Sequence, residues 1–483
     1  MREKLVSRFN NFYFLFGLLV IILVIYQVCT NYTDSDMWFI LSNGKEIVKN
    51  GIPLENPFTY IDGLSIVLQQ WLWSVITWVV YSSVGSVGVV VLLMVLFVIA
   101  VWLLCAIAKV NKCDTNVAFL VSVLLFSFMG WYFINIRPTM ITVILVLAEV
   151  LVLDKYTQTC NSKHLYWLIL ISLLEVNLHS SLWILHFVLL VPYVFPCIKN
   201  PFIKFKDNEY SIKPILLISI PMFVVGFLNP YGLDGMLYLV NSYGSALNSL
   251  NINELQQPSI LSPVGIVMLL QLLLILFMFK KDCKYSSSKV YIFCGLFILG
   301  SMHIRNYVYF MVGFLLMFFH LLEGVKTDIN VKGTRLVRFV IPFLLGFTLF
   351  SQLSNLKDIE YVKDSIETPI KAVEYIKENN LSDRNIYTDF NQGGFFAYSG
   401  IKIFIDARPE LYLDKINGKD DILNDYIKVL YGVYDDTFNE VLEKYNFDYI
   451  CSIKGTRFDA FLDRQGYNVV VDSNSYRLFK VVV

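Results

Sequence analysis

Charged side chains are scarce. Asp, Glu, Lys and Arg make up 16% of the 483 residues, where a soluble domain carries about 25%. Net charge is missing as well, with 39 basic residues balancing 39 acidic ones. No basic run disturbs the balance, so nothing in the charge pattern calls for nucleic acid. Close cysteine pairs are absent. The eight cysteines are scattered, which argues against a zinc site or a disulfide framework and leaves them as small core residues and unpaired thiols. The spacing GxGxxG is also lacking, so Gly393-Gly394 is no dinucleotide fingerprint. No small-x-small cleavage site follows the N-terminal apolar run. That run, from Asn11 to about Cys29, reads as a retained first span behind Arg2, Lys4 and Arg8.

Apolar surface takes the place of charge. Hydrophobic residues make up 56% of the chain and mean hydropathy is +0.58. They concentrate in runs able to cross a hydrocarbon core of roughly 30 Å. The runs predict spans at about 11–29, 86–109, 115–133, 138–156, 164–177, 181–198, 213–229, 262–279, 289–303, 305–323 and 335–353. The expected fold class is an all-α polytopic membrane protein with about eleven transmembrane helices. They occupy residues 1–355, and a small extracytoplasmic α/β domain follows at 356–483.

Lys and Arg favour cytoplasmic loops, which tests the spans. With the N-terminus inside, the inner loops carry Lys109 and Lys112; Lys155 and Lys163; Lys199, Lys204, Lys206 and Lys213; Lys280, Lys281, Lys284 and Lys289; and Lys326, Lys332, Arg335 and Arg338. The loop from Asn229 to Leu261 has neither Lys nor Arg and falls outside. The chain is thus expected as a multi-pass protein of the cell membrane, with a cytoplasmic N-terminus and an external C-terminal domain. The same alternation puts Asp34, Asp36, Arg137, His179, Asn229, Glu254, His303 and Arg305 on the external side.

The first external loop, 30–85, is too long for a simple connector. Met37, Ile40, Leu41, Ile47 and Val48 share one helical face, and Gly51 and Pro53 supply a stop signal. A second helix from about Gln69 to Tyr81 carries Trp71, Trp73 and Trp78, which suit the headgroup layer. Asp34-Ser35-Asp36 starts the first helix. It reads as a cap, or as a carboxylate at the water–lipid boundary that takes a proton or holds a cation.

Here the sequence resembles a known group. It is similar to the GT-C superfamily of membrane glycosyltransferases, and in particular to uncharacterised bacterial membrane proteins of that type. The pieces that carry the resemblance are DSDMWFILSNGKEIVKNGIPLENPFTY (34–60), QQWLW (69–73), INIRPT (134–139), NLH (177–179), FLNPYG (227–232), HIRN (303–306), NQGGFF (391–396) and FIDARPELY (404–412). One departure stands out. The pattern commonly has an acid before the Trp of the second loop helix, where this chain has Gln70. The resemblance implies inverting transfer of a sugar from a polyprenyl-phosphate donor to an acceptor outside the cytoplasm. It leaves open a hexose or a pentose, and a glycan, lipid or protein acceptor. Some relatives need a divalent cation and others do not; Asp34 and Asp36 would be its ligands here.

Such a reaction needs an activated hydroxyl and a place for a departing lipid phosphate. Asp36, or else Asp34, can act as the base. Arg137 and Arg305 lie at outer span ends, where a planar guanidinium can hold a phosphate or simply snorkel to headgroups. His179 and His303 could assist as donors. Glu175 lies close to the outer face, and intramembrane acids default to function; Glu149, mid-span, suits a pair with a neighbouring helix. Glu254 lines a substrate entrance or is a solvated loop acid. A transporter or flippase of lipid-linked saccharides is the first competing class. Against it, no internal repeat is visible, and the polar residues gather at one surface. A non-catalytic envelope assembly protein is the second.

Beyond residue 367, helix and strand alternate. Thr368 is expected to cap a helix opening at Pro369. NIYTDF, KIFIDA, DYICSI, YNVVVDS and YRLFKVV read as strands, with a turn at Gly393-Gly394. Asp406 and Arg408 follow a buried-looking strand and suit a structural ion pair, or contact with an acceptor or the membrane body.

Overall fold

A computed structural model describes residues 35–128, 134–195, 203–206, 209–242, 253–280, 283–323, 364–432 and 434–481. Asp34 and the expected spans 11–29 and 335–353 lie outside the described residues. The chain divides into two compact units. One comprises Met1–Tyr32, Val90–Asn229 and Ile252–Lys357; the other comprises Thr33–Val89, Pro230–Asn251 and Asp358–Val483.

The first unit is helical. Its helices are Ser86–Val110, which begins in the other unit, Thr115–Phe128, Thr139–Thr159, Trp167–Leu178, Trp183–Val194, Lys213–Val224, Pro263–Met278, Ser287–Met302 and Tyr307–Leu321. Among the described residues, two stretches, Ser86–Val110 and Ile304–Leu321, are long and apolar enough to cross a membrane. At 1.5 Å per residue the first is about 38 Å long. Thr139–Thr159 is 21 residues long but carries Glu149, Asp154 and Lys155, and the rest are shorter; Pro192 lies inside Trp183–Val194 and Pro221 inside Lys213–Val224. Ser262 caps Pro263–Met278 by accepting from the Gly265 N–H. Their outward faces are apolar. Trp102, Leu217, Ile220, Leu270, Leu276 and Ile298 are exposed, and Phe277 is 87% exposed. Large apolar side chains exposed in such number are rare on a protein surrounded by water and suit a surround of lipid.

Inside this unit a buried lysine and a buried carboxylate are paired. Lys289, expected in an inner loop, lies within Ser287–Met302 and is buried against Asp154, with Nζ 2.6 and 2.5 Å from its two oxygens. Tyr193 donates to Asp154 Oδ1 at 3.1 Å and Asn111 to Oδ2 at 2.9 Å. Buried charge persists only when paired, and this cluster ties three helices to the turn that follows Ser86–Val110. Strand β1 (Lys204–Phe205) lies parallel to β2 (Lys284–Tyr285) and joins two interhelical loops.

The second unit is mixed. The Ser35–Asn50 helix buries Met37 to Gly44 and packs against Trp71–Val84. Gly51, at φ +88°, ends the first helix in a conformation that other residues adopt only with strain. The C-terminal segment forms a four-stranded sheet of β3 (Ile386–Tyr387), β4 (Tyr449–Ile453), β5 (Asn468–Asp472) and β6 (Tyr476–Lys480), in the order β3-β4-β6-β5. β3 and β4 are parallel; β4–β6 and β5–β6 are antiparallel, with Cys451 opposite Leu478 and an irregularity between Val469 and Val471. Two apolar clusters fill the unit. Leu64, Ile66 and Leu68 of the first loop join Phe404, Tyr412, Phe447 and Phe461 in one, and Phe58 joins Phe396, Ile403 and Tyr476 in the other. Burying one such side chain contributes about 1.5–3 kcal/mol.

Three local expectations are corrected here. The helix after residue 367 runs Ile370–Glu378 with Pro369 at its cap, while the Thr368 hydroxyl meets Ser365. Gly393-Gly394 opens a helix, Gly393–Tyr398, instead of a turn. The segment KIFIDA is not a sheet strand. Its backbone N–H groups go elsewhere: Ile403 donates to Phe58 O at 2.9 Å, and Phe404 and Ile405 donate to Thr388 Oγ1. A hydroxyl thus takes the place of a strand partner.

Candidate functional site

In the first unit, interruptions between helices bring distant polar residues together. His179 ends Trp167–Leu178 at φ −158°, and its N–H still reaches Glu175 O at 2.8 Å. His303 breaks Ser287–Met302 from Tyr307–Leu321 in an extended conformation. The segment 253–256 lies against that break. Gln256 O accepts from Ile304 N–H at 2.9 Å, and Leu255 O accepts from His303 Nδ1–H. Glu254 accepts from Arg137 at 2.5 Å. Arg137, Glu254 and His303 are therefore joined through one short segment.

Beneath them, Thr142 Oγ1 lies 2.7 Å from Glu175 Oε1 and 2.7 Å from His179 Nδ1. Arg305 is exposed in the short helix Ile304–Asn306 and makes no ion pair among the described residues. It acts electrostatically on His179 and Tyr309. Arg137, Glu175, His179, Glu254, His303 and Arg305 thus fall in one unit as a single polar neighbourhood. The two arginines differ there. Arg137 is neutralised by Glu254, whereas Arg305 has its guanidinium available.

Sequence reasoning missed three members. Thr142 gives no signal beyond its place near Pro138. Tyr309 lies in an apolar run. His186 was legible in principle: Glu149 and Glu175 need a partner at that depth, and His186 is the titratable residue of the next apolar run. Its Nδ1 meets Glu149 Oε2, and its Nε2 lies 3.5 Å from Glu175 Oε2, all fully buried. Glu149 does pair with a neighbouring helix.

In the second unit, Asp36 is half-buried in the first turn of Ser35–Asn50, where the helix dipole favours a negative charge. The C-terminal segment holds this helix. A Cβ on Gly394 would lie 3.2 Å from Ser35 O, 3.3 Å from Trp38 Cβ and 3.4 Å from Phe39 N. Trp38 packs edge-on to Phe395, with ring centroids 4.9 Å apart. Arg408 grips Asp406 through Nε and Nη2, donates to Asn43 Oδ1 at 2.7 Å, and lies over the rings of Phe39 and Phe58 at 5.3 and 5.1 Å. Burial works against that guanidinium's charge, yet the Asp406 carboxylate outweighs it and raises the Arg408 pKa above its ordinary value. Gln70, buried, precedes Trp71–Val84, and its carbonyl accepts from Ser74 N–H at 2.9 Å. Among the described residues, no group of three or more His, Cys, Asp and Glu is arranged to hold a metal ion.

No family model and no curated protein matches this sequence. Solved structures do match its fold. The Archaeoglobus fulgidus oligosaccharyltransferase tethered with an acceptor peptide is 12% identical, with a TM-score of 0.57 over 91% of this chain and 69% of that one. The archaeal oligosaccharyltransferase AglB from the same organism, in complex with an inhibitory peptide and a dolichol-phosphate, is 12% identical, with a TM-score of 0.53 over 92% and 70%. The arabinofuranosyltransferase AftD from Mycobacteria is 10% identical, with a TM-score of 0.54 over 97% of this chain and 40% of that one. These neighbours are GT-C glycosyltransferases of the membrane, and this chain has the GT-C fold.

Proposed function

We propose that the chain is a glycosyltransferase moving a sugar, with inversion, from a polyprenyl-phosphate donor to an extracytoplasmic glycan, lipid or protein acceptor. The fold supports glycosyl transfer in general, and one neighbour is bound to a dolichol-phosphate. The observation that carries the donor class is Arg305: an exposed guanidinium without an ion pair among the described residues, beside a histidine and a buried carboxylate. An unpaired guanidinium is suited to a lipid phosphate.

In this reading the acceptor O–H gives its proton to the carboxylate of Asp36, or of Asp34, as its oxygen bonds to the anomeric carbon from the far side. The bond from that carbon to the phosphate oxygen breaks, and the phosphate leaves with an added negative charge that Arg305 stabilises. Arg137 and Glu254 close the donor side, with His303 clamping their segment, while His179 meets the sugar and the buried Glu175 supports it through Thr142. If a divalent cation takes part, the acidic pair holds it. Residues 1–355 form the membrane body with about eleven spans, the N-terminus inside, and 356–483 lie outside.

The test is twofold. A strain lacking the protein should accumulate a polyprenyl-phosphate sugar. The full chain in lipid nanodiscs should transfer that sugar from the extracted lipid. An unchanged lipid-linked sugar pool, together with no transfer in vitro, defeats the reading.

A further inference from the structure

His179 sits in the turn between Trp167–Leu178 and Trp183–Val194, and its Nδ1 meets Thr142. A hydroxyl has one proton to give. Thr142 Oγ1 is 2.7 Å from both Glu175 Oε1 and His179 Nδ1, so that proton can go to only one of them. An ionised carboxylate accepts and cannot donate. Thr142 therefore donates to Glu175, and the second contact is a hydrogen bond only if His179 Nδ1–H donates to Thr142. A neutral imidazole carries a single N–H. With the proton on Nδ1, Nε2 is an acceptor, and among the described residues nothing is hydrogen-bonded to it.

Two features keep the chain in this direction. The His186 ring lies between Glu149 Oε2 and Glu175 Oε2 and faces the far oxygen of Glu175, which leaves Oε1 to accept from the Thr142 hydroxyl. On His179 itself, burial opposes a second proton, and so does the Arg305 guanidinium; together they outweigh Glu175, which favours one. Tyr309, the other titratable neighbour of Thr142, is a phenol that can donate to the remaining lone pair of Oγ1.

The geometry points to His179 as the residue that reads a hydroxyl of the transferred sugar, accepting its O–H at Nε2. A phosphodiester has no proton to offer such an acceptor, so the labour divides: Arg305 takes the phosphate and His179 takes the sugar. Glu175, Thr142 and His186 are positioning residues that fix its tautomer. The inference rests on the transferase reading above.

Two measurements on the full chain in nanodiscs decide it. The protein has five histidines, so 15N-histidine labelling with a His179→Gln control isolates the ring. The Nδ1–H tautomer is expected at pH 7. Glu175→Gln should move the proton to Nε2, because the new amide can donate to Thr142, which then donates to Nδ1. An Nε2–H or doubly protonated ring in the wild type, or an unmoved tautomer in Glu175→Gln, overturns the proposal. The second measurement uses undecaprenyl-phosphate hexose and pentose donors, intact or deoxygenated at single hydroxyls. Wild type should prefer the intact donor by about ten-fold or more in kcat/KM at one hydroxyl. His179→Phe should lose that preference, and His179→Gln, which can still accept, should keep part of it. Equal preference in His179→Phe overturns the proposal while transfer itself stands. Absence of transfer from every donor removes the transferase reading, and the sugar-reading role with it.

Discussion

Removing Arg408 should unfold the second unit more readily than any surface change, and the loss should be recoverable. Arg408→Met leaves Asp406, fully buried, without its cationic partner, and leaves Asn43 Oδ1 without the donor 2.7 Å away. It also removes the guanidinium from the faces of Phe39 and Phe58. Breaking a buried pair by deleting one partner costs about 3–5 kcal/mol. A unit of this size loses roughly 2–4 °C of Tm per kcal/mol, so a drop of about 6–20 °C is expected. Replacing both partners, as in Arg408→Met with Asp406→Leu, removes the stranded charge. The double variant should recover all but about 1 kcal/mol, the remainder being the unpaired Asn43. Thermal unfolding of the purified chain followed by intrinsic fluorescence is the assay. A single variant within 2 °C of wild type, on the order of 1 kcal/mol, would refute the argument, as would a double variant no better than the single.

The other expectations are briefer. Asp36→Asn should express normally and bind donor, yet lose 10²–10⁴-fold in turnover, as removal of a general base does; near wild-type transfer would leave Asp36 a helix start only. Arg305→Lys should weaken donor binding almost as much as Arg305→Ala, since a point charge cannot make two-pronged contact, and unchanged binding in both would leave a snorkelling side chain. In a cysteine-free background, an impermeant thiol reagent should reach Glu254→Cys and Tyr434→Cys in intact cells but not the exposed native positions 160 and 283; external labelling of Cys283 would invert the topology. The Asp425 carboxyl is partly buried, which raises its pKa, but Lys444, Tyr445 and Lys428 outweigh this and hold it below its ordinary 3.8. Its stabilising share is therefore fully present above the ordinary carboxylate range and is lost as pH falls through the lower folded value. Asp425→Asn should flatten the acid limb of the stability curve, and an unchanged limb would count against it.

The helices of the first unit were legible because continuous apolar runs need no knowledge of their neighbours. What filled their interior was less so. The Asp154–Lys289 pair joins residues 135 positions apart, and Lys289 looked like one more cytoplasmic lysine because charge alone does not reveal a buried partner. Glu149 was readable as paired, and His186 was a legible partner that the apolar run around it concealed. In the second unit, alternation suggested KIFIDA as a strand, and burial did follow. The pairing did not, since Thr388 Oγ1 and Phe58 O claimed the N–H groups that a neighbouring strand would have taken. Gly393-Gly394 looked like a turn for the same reason: sequence shows that a side chain is missing, while only the packed structure shows what occupies the space.

At Gly393 that space is occupied by Ile405 and Asp406, and at Gly394 by the start of the helix carrying Asp36. Arg408 and Asn43 are 365 residues apart, yet they bond within one unit, and a Cβ on Gly394 would press on Ser35 O and Phe39 N, on either side of Asp36. A base must sit within hydrogen-bond reach of the proton it takes, and a displacement of about 1 Å can cost 10²-fold in rate. A helix that began its first turn unsupported would fray there. The C-terminal chain removes that freedom: the Gly393–Tyr398 helix covers the first turn, and Arg408 fixes the helix two turns later at Asn43. If Asp36 is the base, the C-terminal domain is what aims it. The motifs NQGGFF and FIDARPELY then belong to the same chemistry as the acidic pair, although neither supplies a reacting group.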